Sequence, residues 1–419
     1  MPKFIIRPAF CQQTLAGAYL ALVLGGLPLR ILMIRLSAVG DVVRTLPALT
    51  CLRRAFPPAH IAWAVEEASM VILEDQPDLD EVLVFPRRKL SRVLLHPSEA
   101  GQAKAALSAF MGSLKDAKFD LVIDFQGTMK SAVLGRLSGA ARRVGFARKY
   151  GREMSHLFYT DRVSMPRAGM SRVERALALV AHLGVDVADA TSGIPERPAD
   201  GAFVDMFLST LPGPAHRVEP GGRPIVIFPG TSRTQANKRY PPYHYARAAD
   251  LLADKTGAPV VVAWGPGEQE LAGFVIDAMK TPATLAPPMS LGQLTSLIRR
   301  AEVFLAGDTG PMHIAWTVGT PLVAIYGPTD PALNRPGGAH SAVAYEKIFC
   351  SPCRNRGCIA RTCLEDLSPQ KVADTALTVI QSAQTSRGSA PAMAHFDGPS
   401  SRPRAKYEVM GPGYRGRGW

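Results

Sequence analysis

A turn of small and polar residues in the second half of the chain carries the side chains best suited to chemistry. The segment Gly307-Asp-Thr-Gly-Pro-Met-His313 follows an apolar run and precedes an apolar, helix-like stretch. Such a turn exposes unpaired backbone N–H groups, and the dipole of the following helix favours an anion there. Asp308, Thr309 and His313 add side chains that could fix a sugar or a diphosphate. The segment predicts a nucleotide-sugar site, although a lone histidine is more often a structural hydrogen-bonding group.

A carboxylate occupies a similar place in the first half of the chain. Asp41 lies within Arg35-Leu-Ser-Ala-Val-Gly-Asp-Val-Val-Arg-Thr-Leu-Pro47, directly after an apolar run at 31–34. Asp41 could cap the helix that follows, or it could act as a general base in a ligand cleft. Local spacing alone favours the cap. The turn lacks the GxGxxG pattern, so the common dinucleotide fold is not indicated.

Four of the six cysteines form a cluster. Cys350, Cys353, Cys358 and Cys363 are separated by two, four and four residues. Thiolates can ligate zinc or an iron–sulfur centre. However, this spacing lacks the two separated Cys-x2-Cys pairs of a zinc ribbon. A compact thiol-rich loop without a metal is the favoured interpretation.

The elements that must position these residues alternate between strand and helix. The strand-like runs lie at 31–34, 59–65, 81–85 and 121–124 in the first half, and at 224–228, 259–263, 283–285, 303–305 and 322–325 in the second. The helix-like segments of the first half include 46–56, 101–117 and 171–184. This alternation predicts two doubly wound parallel sheets, which bind ligands at the carboxyl ends of their strands.

The length and composition favour two globular α/β domains. The chain has 419 residues and is too long for one typical core. Its composition, 47% hydrophobic and 20% charged, is typical of globular α/β proteins. A stretch rich in proline and glycine at 192–223 is predicted to link a domain at 30–191 to a domain at 224–384, with a short helix at 202–209 inside it.

The two ends of the chain are predicted to lie outside these domains. Residues 1–29 are interpreted as a disordered extension, with a membrane anchor as the alternative, because their apolar stretch is short for a bilayer span. Residues 385–419 carry six basic and two acidic residues and are predicted to form a disordered basic tail. A role of this tail at an anionic membrane is the less favoured alternative.

The net charge of +13 favours anionic partners of three kinds: nucleic acid, an anionic membrane or a phosphorylated substrate. Charge alone does not choose among them. The aromatic residues in the basic run at 142–152 are not arranged in a way that suggests base stacking, so binding of single-stranded nucleic acid is not expected.

Four motifs, taken in chain order, resemble those of the glycosyltransferase family 9 heptosyltransferases, and most closely the lipopolysaccharide branch. The motifs are the Ser37–Pro47 run, Asp124-Phe-Gln-Gly-Thr-Met-Lys-Ser131, Pro229-Gly-Thr-Ser232 with Lys238, and Gly307–His313. The Cys350-Ser-Pro-Cys353 loop is similar to one in many members. The resemblance covers roughly residues 30–380.

The resemblance implies a GT-B architecture, in which two Rossmann-like doubly wound domains face each other across a cleft. The first domain would bind the acceptor and the second the ADP-sugar. The implied reaction is an inverting, metal-independent transfer of heptose from ADP-heptose to Kdo-lipid A or heptosyl-Kdo-lipid A, in the inner core of lipopolysaccharide, with no cofactor. The expected protein is a monomer in peripheral contact with the cytoplasmic face of the inner membrane, with no nucleic-acid partner.

The resemblance also implies roles for individual residues. By its motif position Asp41 corresponds to the catalytic base, which takes the acceptor hydroxyl proton as the anomeric carbon is attacked. The second half has no Asp-x-Asp metal site, so Lys238 and the neighbouring loop would stabilise the departing ADP. Without the resemblance, Lys238 would be interpreted as an exposed loop lysine. The implied donor-binding residues are Thr231, Ser232, Lys238, Asp308, Thr309, Gly310 and His313.

Two further assignments complete the predicted site. Glu268 follows a strand and is chosen to hold the ribose hydroxyls, with Glu270 as the alternative. The basic residues Arg142, Arg143 and Arg148 form either a solvated face or a surface that steers an anionic acceptor.

Two rival functions stay open beside the heptosyltransferase. One is a GT-B transferase that uses another nucleotide-sugar. The other is a non-catalytic protein that binds a nucleotide-sugar or an anion.

Overall fold

The computed structural model describes residues 28–93, 95–211, 222–353, 355–389 and 406–407, which form two compact units. The first unit contains the described residues through Ser192 together with Lys406–Tyr407, and the second contains those from 193 to 389. The predicted extension falls outside the described residues as far as residue 27. The predicted basic tail does so at 390–405 and 408–419.

The first unit is a parallel sheet with helices. Its strands are β1 (Arg30–Ile34), β2 (His60–Glu66), β3 (Glu81–Phe85), β4 (Leu121–Asp124), β5 (Arg142–Phe146), β6 (Asp161–Val163) and, late in the chain, β13 (Lys406–Tyr407). Its helices are α1 (Val39–Val43), α2 (Leu46–Ala55), α3 (Arg87–Arg92), α4 (Ala100–Asp116), α5 (Met129–Leu137) and α6 (Arg172–Ala181), with 3₁₀ turns at Glu67–Ile72, Pro97–Glu99 and Ser155–Phe158. The strand order is β13-β3-β2-β1-β4-β5-β6.

Strand β1 lies in the middle of this sheet and is almost continuously apolar, as expected for a parallel strand covered on both faces. Ile31 pairs with Ile61 of β2 on one side and with Leu121 of β4 on the other. Because all three strands are parallel, the segments that follow them meet at one edge of the sheet. This carboxyl edge receives Asp41, Glu66 and Gln126.

The second unit has the same layout. Its strands are β7 (Ile225–Phe228), β8 (Val260–Val262), β9 (Ala283–Leu285), β10 (Val303–Gly307), β11 (Leu322–Tyr326) and β12 (Ser341–Tyr345), in the parallel order β12-β11-β10-β7-β8-β9. Its helices are α7 (Pro198–Ser209), α8 (Pro242–Thr256), α9 (Gln269–Ala278), α10 (Leu291–Arg300), α11 (Gly310–Thr317), α12 (Pro331–Asn334), α13 (Thr362–Glu365) and α14 (Pro369–Ser389), with a 3₁₀ turn at Arg233–Lys238.

The proline- and glycine-rich stretch between the two halves contains helix α7, which packs on α10 of the second unit. Arg300 forms ion pairs with Glu196 and Asp205, and Arg299 donates a hydrogen bond to the Ile194 carbonyl. The chain from 193 to 211 is therefore held by the second unit. The rest of the predicted linker, from 212 to 221, lies outside the described residues.

The prediction of two Rossmann-like, doubly wound units is confirmed. The pattern missed β5, β6 and β12, because each is short or only partly buried. Arg142 and Arg143 begin β5, so in the sequence this strand has the pattern of a basic run instead of an apolar strand. Within the described part of the chain, no helix combines the length and the apolar character needed to cross a bilayer.

Candidate active site

Three arginines surround the carboxylate of Asp41, which lies in the first turn of α1. Arg35 Nη2 lies 2.8 Å from one carboxylate oxygen, Arg172 Nη1 lies 3.4 Å from the other, and Arg44 contacts the same oxygen as Arg172. The N-cap residue of α1 is Ala38, and the helix has no side-chain cap hydrogen bond. Asp41 therefore pairs with arginines instead of capping the helix.

The arginines decide the charge of Asp41. Burial acts to raise the pKa of this carboxyl group, but Arg35, Arg44 and Arg172 outweigh burial and hold the pKa well below its usual range. Asp41 is therefore ionised at any physiological pH and can accept a proton. Since a carboxylate with a lowered pKa is a weak base, the arginines also restrain its basicity.

Arg35 ties Asp41 to the neighbouring strand β4. Its guanidinium donates to the Phe125 carbonyl as well as to Asp41, and the indole of Trp63 donates to the Arg35 carbonyl at 3.2 Å. Gln126 Oε1 lies 3.5 Å from the backbone nitrogen of Ser37, which donates to it. The segments that follow β1 and β4 are thereby fixed to each other, and Asp41 is held in one position.

A second charged group lies at the same edge of the sheet. The buried carboxylate of Glu66, at the end of β2, pairs with Lys130 and with Arg87, each at 2.7 Å. The Lys130 and Arg87 side chains are 44% and 59% exposed, so both cations remain open to solvent. Lys130 belongs to the Asp124–Ser131 motif, but nothing in the motif itself selects it as a site residue.

The three arginines predicted to bind the acceptor lie at different ends of β5. Arg142 and Arg143 begin the strand, where Arg142 pairs with Asp161 at 2.8 Å and Arg143 donates to the Phe158 carbonyl at 2.9 Å. Arg148 follows the strand and is exposed. Of these three arginines, the structure brings Arg148 to the carboxyl edge of the sheet that carries Asp41.

The second unit brings Lys238 and Asp308 together from two motifs. The Lys238 ammonium lies 2.8 Å from Asp308 Oδ2, and the two side chains are 17% and 7% exposed. Lys238 ends the 3₁₀ turn after β7, and Asp308 follows the adjacent strand β10. Lys238 is therefore part of a nearly buried ion pair and not a free surface lysine.

The start of helix α11 lies beside this pair. Thr309 is the N-cap of α11, yet its hydroxyl oxygen is buried and makes no hydrogen bond within the described residues. Gly310 is the first helical residue. An unsatisfied buried hydroxyl at a helix N-terminus is a binding group for an anion that enters the site.

His313 is buried one turn further along α11. The indole of Trp316 donates to His313 Nδ1 at 3.3 Å, which leaves the proton of a neutral imidazole on Nε2. His313 Nε2 lies 3.9 Å from Asp308 Oδ1 and so faces the Lys238–Asp308 pair. The ring orientation is therefore fixed toward the predicted donor site.

Glu268 contacts the loop that contains Thr231. Its carboxylate accepts from the Gly265 N–H at 3.2 Å and lies so near Gly230 that a Cβ there would be 1.8 Å from it. Burial raises the pKa of Glu268, while the Gly265 N–H and Arg239 act to lower it. Glu270 is exposed on α9, so Glu268 is the acidic side chain at this loop.

Arg239 organises the same loop from the other side. It donates to the Thr231 hydroxyl at 3.2 Å and to the Thr231 carbonyl at 3.1 Å, and its guanidinium lies 3.8 Å from Glu268. Ser232 is exposed, with its hydroxyl 3.4 Å from that of Thr234. Thr231, Lys238 and Glu268 are thus gathered around one loop.

The clustered cysteines Cys350, Cys353, Cys358 and Cys363 are free thiols. Burial raises the pKa of the Cys363 thiol to about 11, so this sulfur is protonated at neutral pH. Over the described ranges, no group of three or more histidine, cysteine, aspartate and glutamate side chains is arranged to hold a metal ion.

Sequence reasoning missed the basic partners of the site. Arg44 follows Asp41 by three residues, so helical spacing could have predicted their ion pair. Arg239 is adjacent to Lys238 in the chain. Arg172 lies 131 residues from Asp41, and no local pattern links the two.

The fold and the matching family model define a glycosyltransferase. The model of "Glycosyltransferase family 9 (heptosyltransferase)" matches residues 107–364. The chain belongs to this family, and its relatives in the family include proteins named lipopolysaccharide heptosyltransferases.

The relatives cover most of the chain. It is 30% identical over 341 residues to lipopolysaccharide heptosyltransferase 1 of Pseudomonas aeruginosa, a match that spans 81% of this chain and 90% of that protein. It is 30% identical to the Escherichia coli K12 protein of the same name, over 73% of this chain and 90% of that protein.

Solved structures give the same result. Escherichia coli heptosyltransferase WaaC with ADP is similar with a TM-score of 0.65 and 27% identity, over 84% of this chain and all of that one (100%). WaaC with ADP-2-deoxy-2-fluoro heptose is similar with a TM-score of 0.61 and 29% identity, over 83% of this chain and 98% of that one.

Proposed function

We propose that this protein transfers heptose from ADP-heptose to the first acceptor position of the lipopolysaccharide inner core, on Kdo-lipid A, with inversion and without a metal ion. The observation that carries the donor assignment is the nearly buried Lys238–Asp308 pair beside the unsatisfied Thr309 hydroxyl. The WaaC structures with ADP and with ADP-2-deoxy-2-fluoro heptose support the donor, and the names of the Pseudomonas aeruginosa and Escherichia coli K12 relatives, both called lipopolysaccharide heptosyltransferase 1, support the first transfer.

In this proposal the second unit holds the donor. The ADP diphosphate lies against Lys238 and the N-terminus of α11, where Thr309 and the N–H groups near Gly310 can donate to it. Glu268 accepts from the ribose hydroxyls, with Thr231 and Ser232 in the loop beside it. Asp308 and His313 face the sugar. As the sugar–phosphate bond breaks, Lys238 stabilises the negative charge that develops on the departing ADP.

In the first unit, Asp41 acts as the base. The acceptor hydroxyl oxygen attacks the anomeric carbon, its proton passes to Asp41, and the bonding electrons leave with ADP. An acceptor rich in carboxylate and phosphate groups would also compete with Asp41 for Arg172, whose side chain is 40% exposed. Losing one guanidinium would raise the pKa of Asp41 and strengthen the base when the acceptor is in place.

Arg148, Lys130 and Arg87 complete the proposed acceptor surface, because they are exposed cations at the carboxyl edge of the sheet. We propose that the protein is a monomer and that its lipid-linked acceptor brings it into peripheral contact with the cytoplasmic face of the inner membrane.

The donor assignment is tested by calorimetric titration of ADP. We expect Lys238→Met to weaken ADP binding by about 10- to 100-fold, the equivalent of one charge-assisted phosphate contact. Lys255→Met is the matched control, since Lys255 is exposed at the end of α8. Equal ADP affinity in the wild type and in Lys238→Met would contradict the proposed donor site.

A further inference from the structure

One loop of the second unit combines a basic sequence with highly exposed apolar side chains. Residues 347–361, here called the 347–361 loop, contain four basic residues and no acidic one. Phe349 is 102% exposed and Ile359 is 93% exposed, more than any other large apolar side chain in the part of the chain that the structure describes.

The loop is anchored through its backbone and its small polar residues. Ser351 bonds to the Gly327 carbonyl and to the Tyr345 hydroxyl, and the Cys353 N–H donates to the Pro328 carbonyl at 2.8 Å. Asn237 donates to the Asn355 carbonyl at 3.0 Å. The apolar side chains therefore project from a backbone that is already ordered. The entropy cost of ordering the loop arises during folding, so it does not weaken docking.

The two acidic residues that border the loop both have partners, and one partner of Glu365 is Arg361 of the loop itself, at 3.6 Å. Glu346 pairs with Lys371 at 2.8 Å, and Glu365 accepts a hydrogen bond from the Tyr243 hydroxyl. Lys347 and Arg356 are both exposed. The surface around Phe349 and Ile359 is consequently cationic.

We propose that the 347–361 loop docks on an anionic lipid surface, with Phe349 and Ile359 entering the headgroup region and Lys347 and Arg356 contacting lipid phosphates. Apolar tips within a basic surface are the combination that binds anionic membranes peripherally. The choice of a lipid surface rests on the proposed function, in which the acceptor is lipid-linked.

Phe274, another exposed apolar residue of the second unit, fits this role less well. Phe274 is 53% exposed, but it lies on α9 between Glu270 and Asp277, which share its helix face at i−4 and i+3. An anionic membrane would repel this face. Phe274 therefore provides a matched control of the same side-chain type.

The experiment is flotation of the full-length protein with phosphatidylglycerol–phosphatidylethanolamine vesicles, in the absence of donor and acceptor. We expect the double variant Phe349→Ser/Ile359→Ser to bind these vesicles about 100-fold more weakly than the wild type, from about tenfold for each apolar side chain. The Phe274→Ser variant should bind like the wild type. The wild type should bind phosphatidylcholine vesicles much more weakly.

ADP titration of each variant checks the fold of the second unit separately. If the double variant binds ADP abnormally, the single variant Ile359→Ser takes its place, with an expected tenfold loss of vesicle binding. Equal vesicle binding by wild type and variant, or no binding by the wild type, would overturn the proposal. So would self-association of the wild type that the variant abolishes without a change in vesicle binding. Failure of ADP to bind the wild type would count against the proposed function alone.

Discussion

Replacing Asp41 by asparagine keeps the shape of the side chain and removes both its charge and its ability to accept a proton. If Asp41 is the base, the rate of sugar transfer should fall by about 10²- to 10⁴-fold. ADP affinity should stay at the wild-type value, because the residues proposed to hold ADP belong to the other unit. The loss should therefore appear in kcat rather than in donor binding.

The same change should also lower stability, by an amount that the structure limits. Arg35 and Arg44 are 12% and 9% exposed and would lose their carboxylate partner, whereas Arg172 is 40% exposed and can turn to water. Removing one partner of a fully buried pair costs about 3–5 kcal/mol, so partial exposure gives about 2–3 kcal/mol here. For a unit of this size, that lowers Tm by roughly 5–10 °C.

The assay is single-turnover transfer, followed by the mass of the acceptor, at a temperature well below the lowered Tm. Asp80→Asn is the matched control, because Asp80 pairs with the buried Arg53 and accepts from the Ile61 N–H at 2.7 Å in the same unit. This control should lose stability and keep its transfer rate. An Asp41→Asn variant that retains a rate within about threefold of the wild type would refute the assignment of Asp41 as base.

Three further predictions concern charge. Because the pKa of Asp41 in the folded protein lies below its unfolded value, the stability that Asp41 contributes to the fold is present above about pH 4 and is lost as the pH falls. The difference in unfolding free energy between wild type and Asp41→Asn, measured by urea titration, should therefore shrink between neutral pH and about pH 3, and a constant difference would contradict this. Glu268→Gln should weaken ADP binding by roughly tenfold and Glu270→Gln should not, which calorimetry compares directly, and equal losses would remove the ribose assignment. Arg172→Ala should raise KM for the acceptor while leaving ADP affinity unchanged, and an unaltered acceptor KM in steady-state transfer would show that Arg172 does not bind it.

The fold was largely predictable, because strands such as β1 and β10 are continuous apolar runs followed by turns and helices. Strand β12 was not predicted, because it consists mostly of small, half-exposed residues. Strand β5 was not predicted, because two arginines begin it. In both cases backbone pairing with the neighbouring strand defines the strand, and the local sequence pattern does not reveal that pairing.

The motifs of the site could be predicted from the sequence, but most of the residues that form ion pairs with the site residues could not. The turn that contains Asp308 and the loop that contains Thr231 indicate an anion site by their small residues and their places after strands. The Lys238–Asp308 ion pair joins residues 70 positions apart, and only the parallel pairing of β7 and β10 brings them together. The arginine cluster at Asp41 likewise depends on Arg172 from α6, so its effect on the pKa of Asp41 required the structure.

The proposed function is tested most directly by transfer with the purified wild-type protein, with Kdo-lipid A as acceptor and ADP-heptose, UDP-sugars or GDP-sugars as donors. We expect ADP-heptose alone to add one heptosyl mass to the lipid, and we expect the addition to continue in the presence of a metal chelator. Transfer from a UDP- or GDP-sugar but not from ADP-heptose, or no transfer from any donor despite tight ADP binding, would contradict the proposed function.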